Sequence, residues 1–177
     1  GGIVGSSTVG NLSVYDPASD TWDAGGVSLP PMPVPTNHAA SATDGTALWV
    51  FGGRGGGNWP QAGYDVVQRY DPLTQVWTTS NDAGMPLAPM PMGRGGTGKA
   101  VFQRGEFLII GGESGSAVFA DVQAYDPLQD TWGLDTPIPT ARHGIYPVLY
   151  KSRLFVAGGG GAVGFSASDV MEVFRRP

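Results

Sequence analysis

The chain contains no cysteine. That absence excludes a disulfide framework, a thiolate metal site and a cysteine nucleophile. It also lacks any apolar run approaching the roughly 18 residues that span a bilayer, and no basic segment followed by an apolar one opens it. No membrane partner is expected, and the chain is expected to be soluble. Basic residues are few: Lys and Arg number 10 against 15 Asp and Glu, for a net charge of -5. They form no cluster, which argues against non-specific nucleic-acid binding through phosphate neutralisation. With two histidines, far apart in sequence, no metal and no cofactor is expected. Helical periodicity is missing throughout.

Glycine and proline are abundant, at 29 and 15 residues, yet 41% of the chain is hydrophobic and five residues are tryptophan. That combination describes packed short strands with frequent turns rather than a low-complexity chain. At 177 residues the chain is long enough for one domain with a substantial core.

A repeat organises it. Tyr15 to Trp22, Tyr70 to Trp77 and Tyr125 to Trp132 are near copies, and both aromatic residues advance by 55 positions each time. Upstream of each lies a glycine pair, at Gly1-Gly2, Gly52-Gly53 and Gly111-Gly112, with a fourth at Gly158-Gly159. Between pair and Tyr comes a loop and then a strand pattern, Asn11–Tyr15, Asp65–Tyr70 or Asp121–Tyr125. Asp-Pro follows and makes a turn: the Asp side chain bonds the backbone two residues on, and Pro is preset near the required φ. The returning strand carries the Trp.

Proline-rich links come next, then two apolar strands, Ala39–Ala42 with Leu48–Phe51, Thr97–Phe102 with Phe107–Ile110, and Ile145–Leu149 with Leu154–Ala157. Short unbroken apolar runs fit strands covered on both faces. Each second strand ends at a glycine pair, where a bulky neighbour is expected, the hairpin Trp being the natural occupant.

Four strands about every 50 residues, with the double glycine and the Tyr and Trp beyond it, resemble the kelch family. The resemblance covers essentially the whole chain and implies an all-β fold, a kelch-type β-propeller of four-stranded antiparallel blades around a channel. About three blades are present. Residues 1–36 supply the outer strands of an incomplete blade, 37–88 and 89–136 two full blades, and 137–177 three strands of a last one. Phe174 takes the Tyr position of the fourth copy, with no Trp strand after it. Such an arc needs a partner to close: the missing amino-terminal half of a longer propeller, or a second copy forming a six-bladed ring.

The links end in Asn37-His38, Arg94-Gly95 and Arg142-His143, which are aligned with one another and expected to converge on one mouth of the channel. Arginines there could bind carboxylates in a bidentate manner, or could hydrogen-bond neighbouring backbone. Arg54 and Glu113, just after glycine pairs, are placed near the same mouth, and Trp59 and Tyr64 could offer an aromatic surface. Asp16, Asp71 and Asp126 are turn formers, and Trp22, Trp77 and Trp132 belong to the core. The Gly158 to Gly164 loop lacks the Lys-Ser/Thr ending of a phosphate loop.

The reading is a binding module for a protein, peptide or carbohydrate at the channel mouth, with no catalytic residue assigned. Its alternative is a carbohydrate-active enzyme, since the family resembled includes galactose oxidases and sialic acid mutarotases. The former need a tyrosine-cysteine cofactor, which this chain cannot form. A mutarotase would draw on Arg94 or Arg142 for the sugar carboxylate and on Glu113 or His143 as acid/base. Asn11-Leu12-Ser13 is a glycosylation sequon, and the glycine-rich, cysteine-free composition resembles secreted bacterial kelch proteins, which together point to an extracellular location.

Overall fold

A computed structural model describes residues 1–22, 29–57, 61–84 and 87–176, and among them there is no helix. The strands in order are β1 (Gly2–Val4), β2 (Ser7–Val9), β3 (Tyr15–Asp16), β4 (Thr21–Trp22), β5 (Ala40–Thr43), β6 (Leu48–Phe51), β7 (Val67–Asp71), β8 (Val76–Thr79), β9 (Val101–Gln103), β10 (Glu106–Ile110), β11 (Val122–Asp126), β12 (Thr131–Asp135), β13 (Val148–Tyr150), β14 (Arg153–Ala157) and β15 (Met171–Phe174). Strands β5 to β8 and β9 to β12 form two four-stranded antiparallel sheets, and β13 to β15 a three-stranded one. This is a partial β-propeller. Phe174 pairs with Leu154 as Tyr125 pairs with Phe107, so it does occupy the Tyr position.

Two differences from expectation lie at the start. Residues between the first glycine pair and Asn11, read as a loop, form the hairpin β1–β2. The following strand is short, with Tyr15 and Asp16 alone paired to β4. Elsewhere the inner strand of the second full blade begins at Val101 rather than Thr97. Gly96 and Gly98 take φ of 68° and 66°, outside the extended region, and hold the chain out of the ladder until then.

The turns form as their residues dictate. Asp126 Oδ1 accepts from the Leu128 and Gln129 amides at 2.8 and 3.1 Å, and Asp71 does the same with Leu73 and Thr74. Between β5 and β6, Asp44 accepts from the Thr46 and Ala47 amides and, through its other oxygen, from the Trp49 indole at 2.8 Å.

Strand β10 explains why its run is apolar without interruption. Phe107 and Ile109 face the first full blade, packing with Trp49, Phe51 and Tyr125, while Leu108 and Ile110 face the last blade with Ile145, Leu154 and Val156. These four side chains are fully buried, each contributing about 2 kcal/mol of transfer free energy.

The glycine pairs are occupied differently from expectation. A Cβ on Gly52 would lie 2.5 Å from the Arg94 carbonyl oxygen, and one on Gly111 would lie 2.4 Å from that of Arg142. The neighbouring blade's main chain, not a tryptophan, fills the space. Trp77 and Trp132 instead donate their indole N–H groups to the link carbonyls of Pro30 and Ala88, both at 2.9 Å. Trp22 is mostly exposed and is not core among the described residues.

Candidate functional site

The main-chain bonds around the glycine pairs fix which link residues correspond. Gly2, Gly53 and Gly112 donate to the carbonyls of Thr36, Arg94 and Arg142. Asn37, Gly95 and His143 follow, each bridged to the residue after a glycine pair: Arg54, Glu113 and Gly160. His38, Gly96 and Gly144 come third. The expected alignment of Asn37-His38 with Arg94-Gly95 was therefore one residue out of step. Thr36, a residue type unlike arginine, occupies the arginine position of the first copy.

That shift separates the expected site into two groups. Arg94 and Arg142 are fully buried within the sheets and do not face a channel mouth. Arg94 donates to the Gly111 carbonyl at 2.9 Å and to Asp121 at 2.7 Å, and its guanidinium lies 4.5 Å from the Phe119 ring centroid. Burial pulls its pKa below the ordinary arginine value, and Asp121 opposes that pull. Arg142 repeats the scheme, donating to the carbonyls of Gly158 at 2.6 Å and Val170 at 2.9 Å and to Glu172 at 2.7 Å. Both guanidinium groups are spent on knitting each glycine pair to the next strand. The mutarotase reading thereby loses the two arginines expected to hold a sugar carboxylate.

The second group does meet. His38, Arg54, Glu113 and His143 line one cleft of about 610 Å³, together with Gly57, Gly96, Gly144 and the segment Val163-Gly164-Phe165. Glu113 is its centre, 3% exposed. One carboxylate oxygen accepts from Arg54 at 3.0 Å and lies 3.5 Å from His143 Nδ1; the other accepts from the Gly164 amide at 2.9 Å. A single carboxylate thus joins loops of three successive repeats. His143 Nε2 donates to the Ala162 carbonyl at 2.9 Å, and Ser166 Oγ donates to the same carbonyl, so the 162–166 segment is pinned from below. Above it Phe165 stands wholly exposed at the cleft wall.

Asn37 is buried beside the cleft, and its amide donates to Thr8 Oγ1 and the Gly56 carbonyl, both at 3.0 Å, while its oxygen receives His38 Nδ1 at 2.5 Å. Desolvation, then the nearby Arg54 charge, holds the His38 pKa below the usual imidazole value, against a smaller pull from Glu113. Tyr64 bonds its amide to the Gly53 carbonyl, and its ring lies against Gly55. Trp59 lies outside the described residues. Sequence reasoning missed Val163, Gly164, Phe165 and Ser166, whose loop has no periodicity to give it away. No group of three or more His, Asp or Glu side chains among the described residues is placed to hold a metal ion.

The family described as the KLHDC2/KLHL20/DRC7 Kelch-repeats domain matches residues 1–161. The chain belongs to the kelch-repeat family. Kelch relatives include Kelch-like protein terF of Aspergillus terreus, 30% identical over 96% of this chain and 35% of the relative. Human Kelch-like protein 23 is 29% identical over 82% of this chain and 24% of its own length. The bovine Rab9 effector protein with kelch motifs is 29% identical over 90% of this chain and 42% of its own. The kelch chain therefore spans less than half the length of each.

Proposed function

We propose that this kelch chain is an interaction module that recognises a segment of another protein in the cleft around Glu113. The carrying observation is the cleft itself: loops of three consecutive repeats, tied through one buried carboxylate, present an apolar wall with an exposed phenylalanine opposite an imidazole and a guanidinium. Rigid polar groups beside an unburied aromatic ring are what a peptide-binding surface requires. Kelch-like relatives, one of them named as a Rab9 effector, support a protein ligand over a glycan. In the same reading the chain is one arc of a longer ring, since it matches 35% of the Aspergillus relative and leaves Trp22, Val148 and Tyr150 exposed.

Panning a displayed random-peptide library against the chain, with bound peptides mapped by NMR shift perturbation, tests this. Perturbations centred on His38, Arg54, Gly164 and Phe165 are expected. Peptides that bind elsewhere, or a glycan array that responds where the library does not, would replace the reading.

A further inference from the structure

One residue of the cleft is unlike its counterparts in the other repeats. The third link position has φ of 68° at Gly96 and 65° at Gly144, the left-handed region that glycine enters without penalty. The first repeat places His38 there with φ of 55°. The conformation is imposed by the fold, because the His38 carbonyl accepts from the Gly96 amide at 2.8 Å and the Gly96 carbonyl in turn from the Gly144 amide. A side chain at this position costs conformational energy that the other two repeats avoid. Its presence needs another account.

The ring itself supplies one. The Asn37 amide nitrogen donates to the Gly56 carbonyl, so its orientation is fixed and its oxygen faces His38. An amide oxygen can only accept, hence Nδ1 carries the hydrogen and the neutral imidazole keeps its lone pair on Nε2. The side chain is exposed and lines the cleft. Nε2 has no hydrogen-bond partner among the described residues, so it stands as an open acceptor on this side. Beside it Gly144 leaves room for a main chain to come close, since a Cβ there would meet nothing within 4 Å.

We propose that His38 Nε2 is the acceptor by which the cleft recognises a hydrogen-bond donor on the bound peptide, a main-chain N–H above all, while Val163 and Phe165 receive an adjoining apolar side chain. The assignment rests on the peptide-binding reading above and specifies its chemistry. Protonation of His38 abolishes the acceptor, so binding weakens as pH falls below the ordinary imidazole range. Arg54, Glu113 and His143 are the charged and titratable groups facing it.

The test uses the full chain and its His38→Gly variant. Long-range proton–nitrogen NMR should show Nδ1 protonated and Nε2 bare at neutral pH; the opposite tautomer overturns the proposal. The variant should melt within about 4 °C of the parent, because relief of the left-handed side chain offsets the lost bond to Asn37. A larger fall makes His38 structural and overturns it likewise. Peptides enriched on the parent should bind His38→Gly at least ten-fold more weakly. Cleft-directed peptides that bind both equally remove the His38 assignment alone, whereas a library yielding no cleft-directed peptide removes the peptide-binding reading and the assignment with it.

Discussion

Tyr125 donates its phenolic hydrogen to Asp130 at 2.6 Å, as Tyr15 does to Asp20. In the intervening repeat Gln75 stands at the aspartate position, with φ of 57° against 54° and 52° for the aspartates. The buried Tyr70 hydroxyl has no partner among the described residues. Gln75→Asp is expected to raise stability by about 1 kcal/mol, read as a higher urea midpoint. Tyr70→Phe should be neutral in the parent and costly in the Gln75→Asp background, and a double-mutant cycle with no coupling would refute the pairing.

Asp44 carries a pH dependence. Burial raises its pKa, but the Ala47 amide, the Thr46 hydroxyl and amide and the Trp49 indole outweigh it and bring the carboxyl down to about 2. A folded-state pKa below the unfolded one stabilises above the unfolded value and is lost as pH falls, here between about 4 and 2. With solvent screening of a half-buried group the contribution is about 1 kcal/mol. Asp44→Asn should be less stable than the parent at pH 6 and converge with it near pH 2, in melts followed across that range.

Arg94→Ala takes the donor away from the Gly111 carbonyl inside the sheet and from Asp121, whose carboxylate is 31% exposed and can turn to water instead. A loss of about 2–3 kcal/mol is expected in denaturant titration, below the range for an ion pair buried on both sides because water reaches Asp121. Arg54→Ala, on the cleft, should cost clearly less.

Arg176 bridges two blades, donating to Asp135 and Glu106, each at 2.5 Å. These contacts are partly exposed, so Arg176→Ala should cost about 1–2 kcal/mol at low salt and measurably less at 1 M salt, where screening has already weakened the pairs. A salt-independent cost would assign the effect to packing of the arginine stem.

Glu113→Gln replaces an acceptor-only group by one with a single oxygen, which cannot serve both Arg54 and the Gly164 amide. Hydrogen exchange at Gly164 should accelerate about ten-fold while amides of β10 keep their protection.

Most of the scaffold was legible from local chemistry. Asp-Pro turns, glycine pairs and the unbroken run of Phe107–Ile110 each specify their geometry through contacts a few residues away, and the kelch resemblance followed from their spacing. The site was legible only in part. Arg94 and Arg142 were selected by type and position, but their partners Asp121 and Glu172 lie 27 and 30 residues on, and only tertiary pairing reveals that the charges are internal. The one-residue misalignment at Thr36 arose because a buried threonine carries no trace of the arginine that replaces it elsewhere. Glu113, His143 and His38 were found for their chemistry, yet the cleft is completed by the loop around Gly164, whose fold is set by hydrogen bonds to Glu113 and His143 rather than by its own sequence.

The carbonyl-to-amide relay from His38 through Gly96 to Gly144 uses no side-chain atom. That part of the blade-to-blade geometry is thus written in main chain alone, and among the cleft-lining side chains it is Glu113 that adds a tie between repeats. A library that randomises positions 38, 54, 163 and 165 while leaving the relay intact should yield folded members at high frequency, making this arc a scaffold whose specificity can be rewritten without redesigning its architecture.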